Sequence, residues 1–122
     1  MSAVTANDDG LAMHVKDWKS MNLSIHTITS YDGTLKLQGS NADTKPDFTA
    51  ARTAANPWYY VDAVAVDGAD ANVTGSTGIA FAGTDKAGSG YEVNTDGLTW
   101  FNVITSGRTA GSISVVGTCY TD

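Results

Sequence analysis

The sequence predicts an all-β protein, a single antiparallel β-sandwich of seven to eight short strands. Three observations carry that expectation. Apolar and polar residues alternate with period two over Met21-Asn22-Leu23-Ser24-Ile25-His26, the pattern of a half-buried strand. Two runs rich in β-branched and aromatic residues, Leu98 to Thr105 and Ser112 to Thr118, flank the short polar linker Ser106 to Gly111. Turn residues, thirteen glycines among them, punctuate the chain every few positions, at the spacing of a sandwich.

Taken in order, residues 1–10 are polar and acidic and read as an exposed N-terminal arm, with the sandwich domain spanning 11–122. Leu11 to Trp18 is a first strand offering Met13, Val15 and Trp18 as apolar surface. In the next, Met21, Leu23 and Ile25 face inward while Asn22, Ser24 and His26 face outward. Asp32-Gly33 supplies turn chemistry, after which Leu35-Lys36-Leu37 returns as the partner strand with both leucines inside. Ser40 to Pro57 is the longest irregular stretch. It holds both prolines, Pro46 and Pro57, and an alanine-rich piece with room for one helical turn. Loops of this length in compact domains are commonly functional or ordered by a partner.

Trp58 to Val66 is almost continuously apolar and reads as a strand covered on both faces. Asp67 to Ser76 is a turn-rich loop. Gly78 to Ala82 and Gly90 to Asn94 are short strands joined by the glycine-rich Gly83 to Ser89. Asp96-Gly97 turns the chain into the last two runs, which read as a β-hairpin and as the spine of the domain. Phe101 and Val103 share one face of its first arm, and Ile113 and Val115 share one face of its second.

Composition narrows function. A chain of 122 residues is long enough for one sizeable core. Thirteen acidic against seven basic residues give a net charge of −6. That balance argues against nucleic acid and against an anionic membrane surface, which both call for clustered Lys and Arg. Charged residues make up 16% of the chain, below the usual quarter or so. The N-terminus lacks the basic start and apolar run of a signal peptide, and no stretch approaches the ~20 apolar residues of a membrane span. Cys119 is the one cysteine, which rules out an intrachain disulfide and reads as a small buried hydrophobe.

No catalytic set emerges. His14 and His26 sit in no nucleophile-elbow pattern, and Glu92 with twelve aspartates, mostly in turns, forms no evident pair for glycoside hydrolysis. Two distant histidines and one cysteine do not make a zinc site. Asp62, Asp67, Asp70 and Asn72 are a run of oxygen ligands, but their spacing is not that of a calcium-binding EF-hand loop. The expectation is therefore no enzyme, no metal and no cofactor.

Trp58-Tyr59-Tyr60 is the aromatic feature with functional scope. In a strand Trp58 and Tyr60 share one face and Tyr59 takes the other. The continuing Val61, Val64 and Val66 favour core packing; a sugar-stacking platform or a protein interface are the other uses of the same rings. The residues assigned to partner contact are Trp58 and Tyr59, then Asp47, Phe48 and Arg52 in the long loop, and Val4 and Thr5 in the arm.

From Asp17 to Thr118 the chain resembles a loose group of small β-sandwich virion proteins of tailed bacteriophages. The resemblance is carried by Trp18-Lys19-Ser20-Met21-Asn22-Leu23, by Leu37-Gln38-Gly39-Ser40-Asn41-Ala42-Asp43, and by Gly97-Leu98 through Phe101-Asn102-Val103 and Thr105-Ser106-Gly107 to Ser112-Ile113-Ser114-Val115-Val116-Gly117. It departs from that pattern at Gln38, at Ala42 and throughout the Ser40 to Pro57 loop. The resemblance implies a jelly-roll-like sandwich. It also implies a role in the virion: a capsid decoration or cement protein, or a head fibre. The partner would be the major capsid protein or another virion protein, the chain a homo-oligomer with a trimer favoured, and the place of synthesis the host cytoplasm. An adhesion module binding a host surface glycan is the alternative. Pairing of the arm with a neighbouring subunit is a further expectation, checked by removing residues 2–10 and measuring particle occupancy.

Overall fold

The computed structural model describes residues 12–27, 30–66, 72–81, 90–111 and 113–120. The N-terminal arm with Val4 and Thr5, the acidic positions Asp67 and Asp70, and the loop Gly83 to Ser89 lie outside them, as does the side chain of His26. The described strands are β1 (Met13–His14), β2 (Ser20–Thr27), β3 (Asp32–Ser40), β4 (Tyr59–Tyr60), β5 (Val64–Ala65), β6 (Ile79–Phe81), β7 (Gly90–Asn94), β8 (Trp100–Ala110) and β9 (Ile113–Tyr120). The one helical element among the described residues is a 3₁₀ turn, Gly75–Thr77.

Two antiparallel sheets face each other. The first runs β1-β8-β3, with β4 and β6 both on the far side of β3, one at each end. The second runs β5-β7-β2-β9. The pairings nest along the chain: β1 with β8, β2 with β7, β3 with β6, and innermost the bridge of Ala63 to Val73 beside β5. Successive pairs alternate between the sheets, and that nested, alternating wrap is a jelly roll. Strands β4 and β9 are additions to it, laid along β3 and β2.

The core follows from strand periodicity. Met21, Leu23 and Ile25 of β2, Leu35 and Leu37 of β3, Tyr91 and Val93 of β7, and Phe101 and Val103 of β8 all point between the sheets and are buried there. Ile113 and Val115 of β9 join them. Each is the inward member of an alternating pair, so burial fixes the register of each strand against slippage.

Three expectations about pairing are corrected. The run from Leu98 to Thr118 is not a hairpin: β8 lies between β1 and β3 in the first sheet, while β9 lies beside β2 in the second. Its apolar faces do meet, but across the core rather than along a shared ladder. Gly111 makes that crossing, at φ 80°, in a place where a Cβ would fall 1.5 Å from the Ser30 carbonyl oxygen. Only a glycine fits there. The linker Ser106 to Ala110 is accordingly strand, the last part of β8, with an irregular register opposite Asp32 to Thr34.

Likewise β2 and β3 occupy different sheets, and Asp32-Gly33 begins β3 instead of forming a turn. Trp58 to Val66 is not one strand covered on both faces. It is β4 in one sheet and β5 in the other, and Val64 is 58% and Val66 53% exposed. Val61, Ala63 and Ala65 are the inward positions. The second sheet is open to water on its outer side, so period two prevails over the apolar run. Trp18 is also exposed, and Val15 takes the inward place at that end.

Candidate functional site

The outer face of the first sheet is covered, and what covers it is the long loop between β3 and β4. Both ends of the loop are clasped by one hydroxyl. Ser40 Oγ donates to the Pro57 carbonyl at 2.6 Å and accepts from the Ala42 amide at 3.1 Å. Farther out, Asn56 is the hub. Its Oδ1 accepts the Asp47 amide at 2.8 Å, and its Nδ2 donates to the carbonyls of Asp47 (2.9 Å) and Ala51 (3.2 Å). Thr53 and Asn56 also exchange backbone hydrogen bonds. A side chain that pairs with the backbone in this way replaces the ladder a loop lacks.

The sheet holds the loop from beneath. Gln38 Nε2 donates to the Phe48 carbonyl at 3.0 Å, and Asn102 Nδ2 donates to Gln38 Oε1 at 2.9 Å. Pro46, Phe48 and Trp58 are buried on this face, apart from the main core. The Trp58 indole N–H donates to the Ala50 carbonyl at 3.0 Å. Its ring meets that of Tyr60 edge to face, with centroids 5.2 Å apart, a favoured arrangement for two aromatics.

Arg52 completes the surface. Its guanidinium carbon lies 5.6 Å from the Trp58 ring centre and 5.7 Å from that of Tyr60, and Lys36 Nζ lies 5.6 Å from Tyr60. Two cations thus sit within cation–π range of a pair of rings. Beside Arg52 is an open cavity of about 280 Å³ lined by Asn41, Arg52, Thr53, Pro57, Trp58 and Tyr59. A second shallow cavity, of about 380 Å³, lies on the other sheet among Asp62, Val64, Asn72, Thr74, Glu92 and Asn94.

Of the residues assigned to partner contact, the structure brings Arg52, Trp58 and Tyr59 together at one cavity. Tyr59 is 41% exposed at its rim and Trp58, at 9%, forms part of its wall. Asp47 is exposed but serves the loop: its Oδ1 accepts from both the hydroxyl (2.6 Å) and the amide (3.0 Å) of Thr49. Those two hydrogen bonds, the hydroxyl first, hold its carboxyl below the usual range. Phe48 is buried and presents no contact surface; it anchors the loop from inside. Lys36, Tyr60, Gln38, Asn56 and Asn102 were not among the assigned residues. The signal for Asn102 was present, since it is the polar residue in the apolar run Phe101 to Ile104.

Among the described residues no group of three or more His, Cys, Asp or Glu could hold a metal ion. Of the four oxygen-bearing residues in the acidic run, two are described, and each ties the backbone. Asp62 Oδ1 accepts the Gly75 amide at 2.6 Å and Asn72 Oδ1 the Ala65 amide at 3.0 Å. No family model, curated protein or solved structure matches the chain.

Proposed function

We propose that this chain is a non-enzymatic structural protein of a tailed-bacteriophage virion, a capsid decoration or cement protein that binds the outer shell and stabilises it. The observation that supports this most is the loop of residues 41–58. It is tied down by side-chain hydrogen bonds on both sides and offers Arg52 outward beside Tyr59 of β4, as a contact surface rather than as a set of reactive groups. A pre-formed surface loses little conformational entropy on docking. Repeated over a symmetric shell, modest single contacts then give durable attachment. The partner is the major capsid protein, and the acidic, low-charge composition suits a protein displayed at high local density.

The test is electron microscopy of the purified protein with empty capsids of its own virus. Ordered density at symmetric lattice positions supports the reading. Absence of capsid binding, or density confined to the tail, rejects it.

The cavity beside Arg52 favours a second reading, an adhesion module that binds a host surface glycan. Rings and amide or hydroxyl groups around a small open hollow are what a sugar needs. Binding on a glycan array that disappears on Tyr59→Ala supports it, and a silent array rejects it.

A further inference from the structure

We infer that the cavity at Arg52 takes a sugar bearing a carboxylate, an acidic rather than a neutral glycan. The inference rests on the adhesion reading of the same site and sharpens it. Arg52 is the ground for it. Among the described residues no acid is paired with this guanidinium and no hydrogen bond occupies it; its contacts are the two ring faces. What sets this guanidinium apart is its place over two aromatic rings at the lip of a cavity, with Lys36 beyond the same Tyr60. A guanidinium carries a planar fork of N–H donors that grips a carboxylate with two parallel hydrogen bonds, and among the described residues none of Arg52's donors is taken.

The rest of the lining fits a sugar better than an acidic side chain. Pro57, Trp58 and Tyr59 offer apolar surface for the C–H face of a ring, while Asn41 and Thr53 offer an amide and a hydroxyl for its hydroxyl groups. About 280 Å³ lies near the small end of ligand clefts, room for a short saccharide. The net charge of −6 opposes an anion only weakly from a distance, since charges more than about 8 Å away are largely screened at physiological ionic strength. Attraction at this site is therefore local to Arg52 and Lys36.

The experiment uses the full chain on an array of neutral and uronic- or sialic-acid-bearing glycans. Titration follows with the best acidic oligosaccharide, its carboxyl-reduced form, and a glutamate-rich peptide of matching charge. The expected result is binding of the acidic sugar alone. Arg52→Gln should weaken it about tenfold or more and Arg52→Lys by less, because an ammonium lacks the fork. Arg52 is exposed, and unchanged thermal unfolding of both variants shows that the fold is intact. Equal binding of the carboxyl-reduced sugar, or binding insensitive to Arg52→Gln, overturns this inference and leaves the glycan reading standing. Preference for the acidic peptide overturns it in favour of a protein partner. An array silent throughout overturns both.

Discussion

Asn102 of β8 donates its side-chain amide to Gln38 Oε1 of β3 at 2.9 Å, and both side chains are 1% exposed on the face of the sheet turned away from the core. Gln38 passes the chain of hydrogen bonds on to the Phe48 carbonyl. Two strands thus hold the long loop through one buried amide pair, and Arg52, Tyr59 and the wall of Trp58 are positioned by what that pair holds down.

Gln38→Met keeps the side-chain volume close but removes both ends of the relay. It leaves the Phe48 carbonyl and the Asn102 amide buried without this partner, at a cost of about 1–3 kcal/mol for each such group. Chemical denaturation is expected to show the loss. Hydrogen exchange should show faster opening at residues 46–58 than in β2 or β8.

Glycine replacement separates two backbone positions with similar angles. Gly107→Ala, at φ 64° with open space around it, should cost only the left-handed strain of roughly 1–2 kcal/mol. Gly111→Ala drives its Cβ into the Ser30 carbonyl at the crossing between sheets. Soluble expression and thermal melting should show a mildly weakened first variant and no stable fold for the second.

Truncation should distinguish the inward from the outward apolar positions. Leu37→Ala opens the centre of the sandwich and should destabilise it by about 2–5 kcal/mol. Val64→Thr alters a position 58% exposed on the open sheet face and should stay within about 0.5 kcal/mol. Equal costs in urea unfolding would contradict the burial of one and the exposure of the other.

Asp47 should titrate below the ordinary aspartate range because Thr49 hydrogen-bonds its ionised form. A lowered carboxyl favours the folded turn above the ordinary aspartate range, and that contribution is lost as pH falls through the lowered value. Carbon-detected NMR titration checks the position, and Thr49→Val should bring it back toward the ordinary value.

Cys119 lies half-buried in β9, and burial pushes its thiol up from the ordinary range. Alkylation at neutral pH should be slow and should quicken with pH later than for a free thiol. The folded form favours the neutral thiol. Its contribution to stability is full below the ordinary thiol range and is lost as pH rises through the raised value. Unfolding in denaturant should restore ordinary reactivity.

The sequence by itself determined which residues of β2, β3, β8 and β9 face the core. Met21, Leu23 and Ile25, Leu35 and Leu37, and the alternation around Phe101 and Ile113 were all legible, because side-chain direction repeats every two residues and water acts on each side chain separately. Those faces, with the turn residues, made the all-β sandwich a necessary reading.

Only the tertiary structure decided which strand lies beside which. Backbone hydrogen bonds are the same for every residue, so the apolar faces of β8 and β9 are satisfied equally well by a shared ladder or by packing across a core. Gly111, closed in by the Ser30 carbonyl, marks where the chain takes the second course. The site was legible in the same partial way. Arg52 and Trp58 belong to one loop and Tyr59 follows it in β4, but their meeting depends on Gln38 and Asn102, 64 residues apart in sequence and neighbours only because β3 and β8 pair.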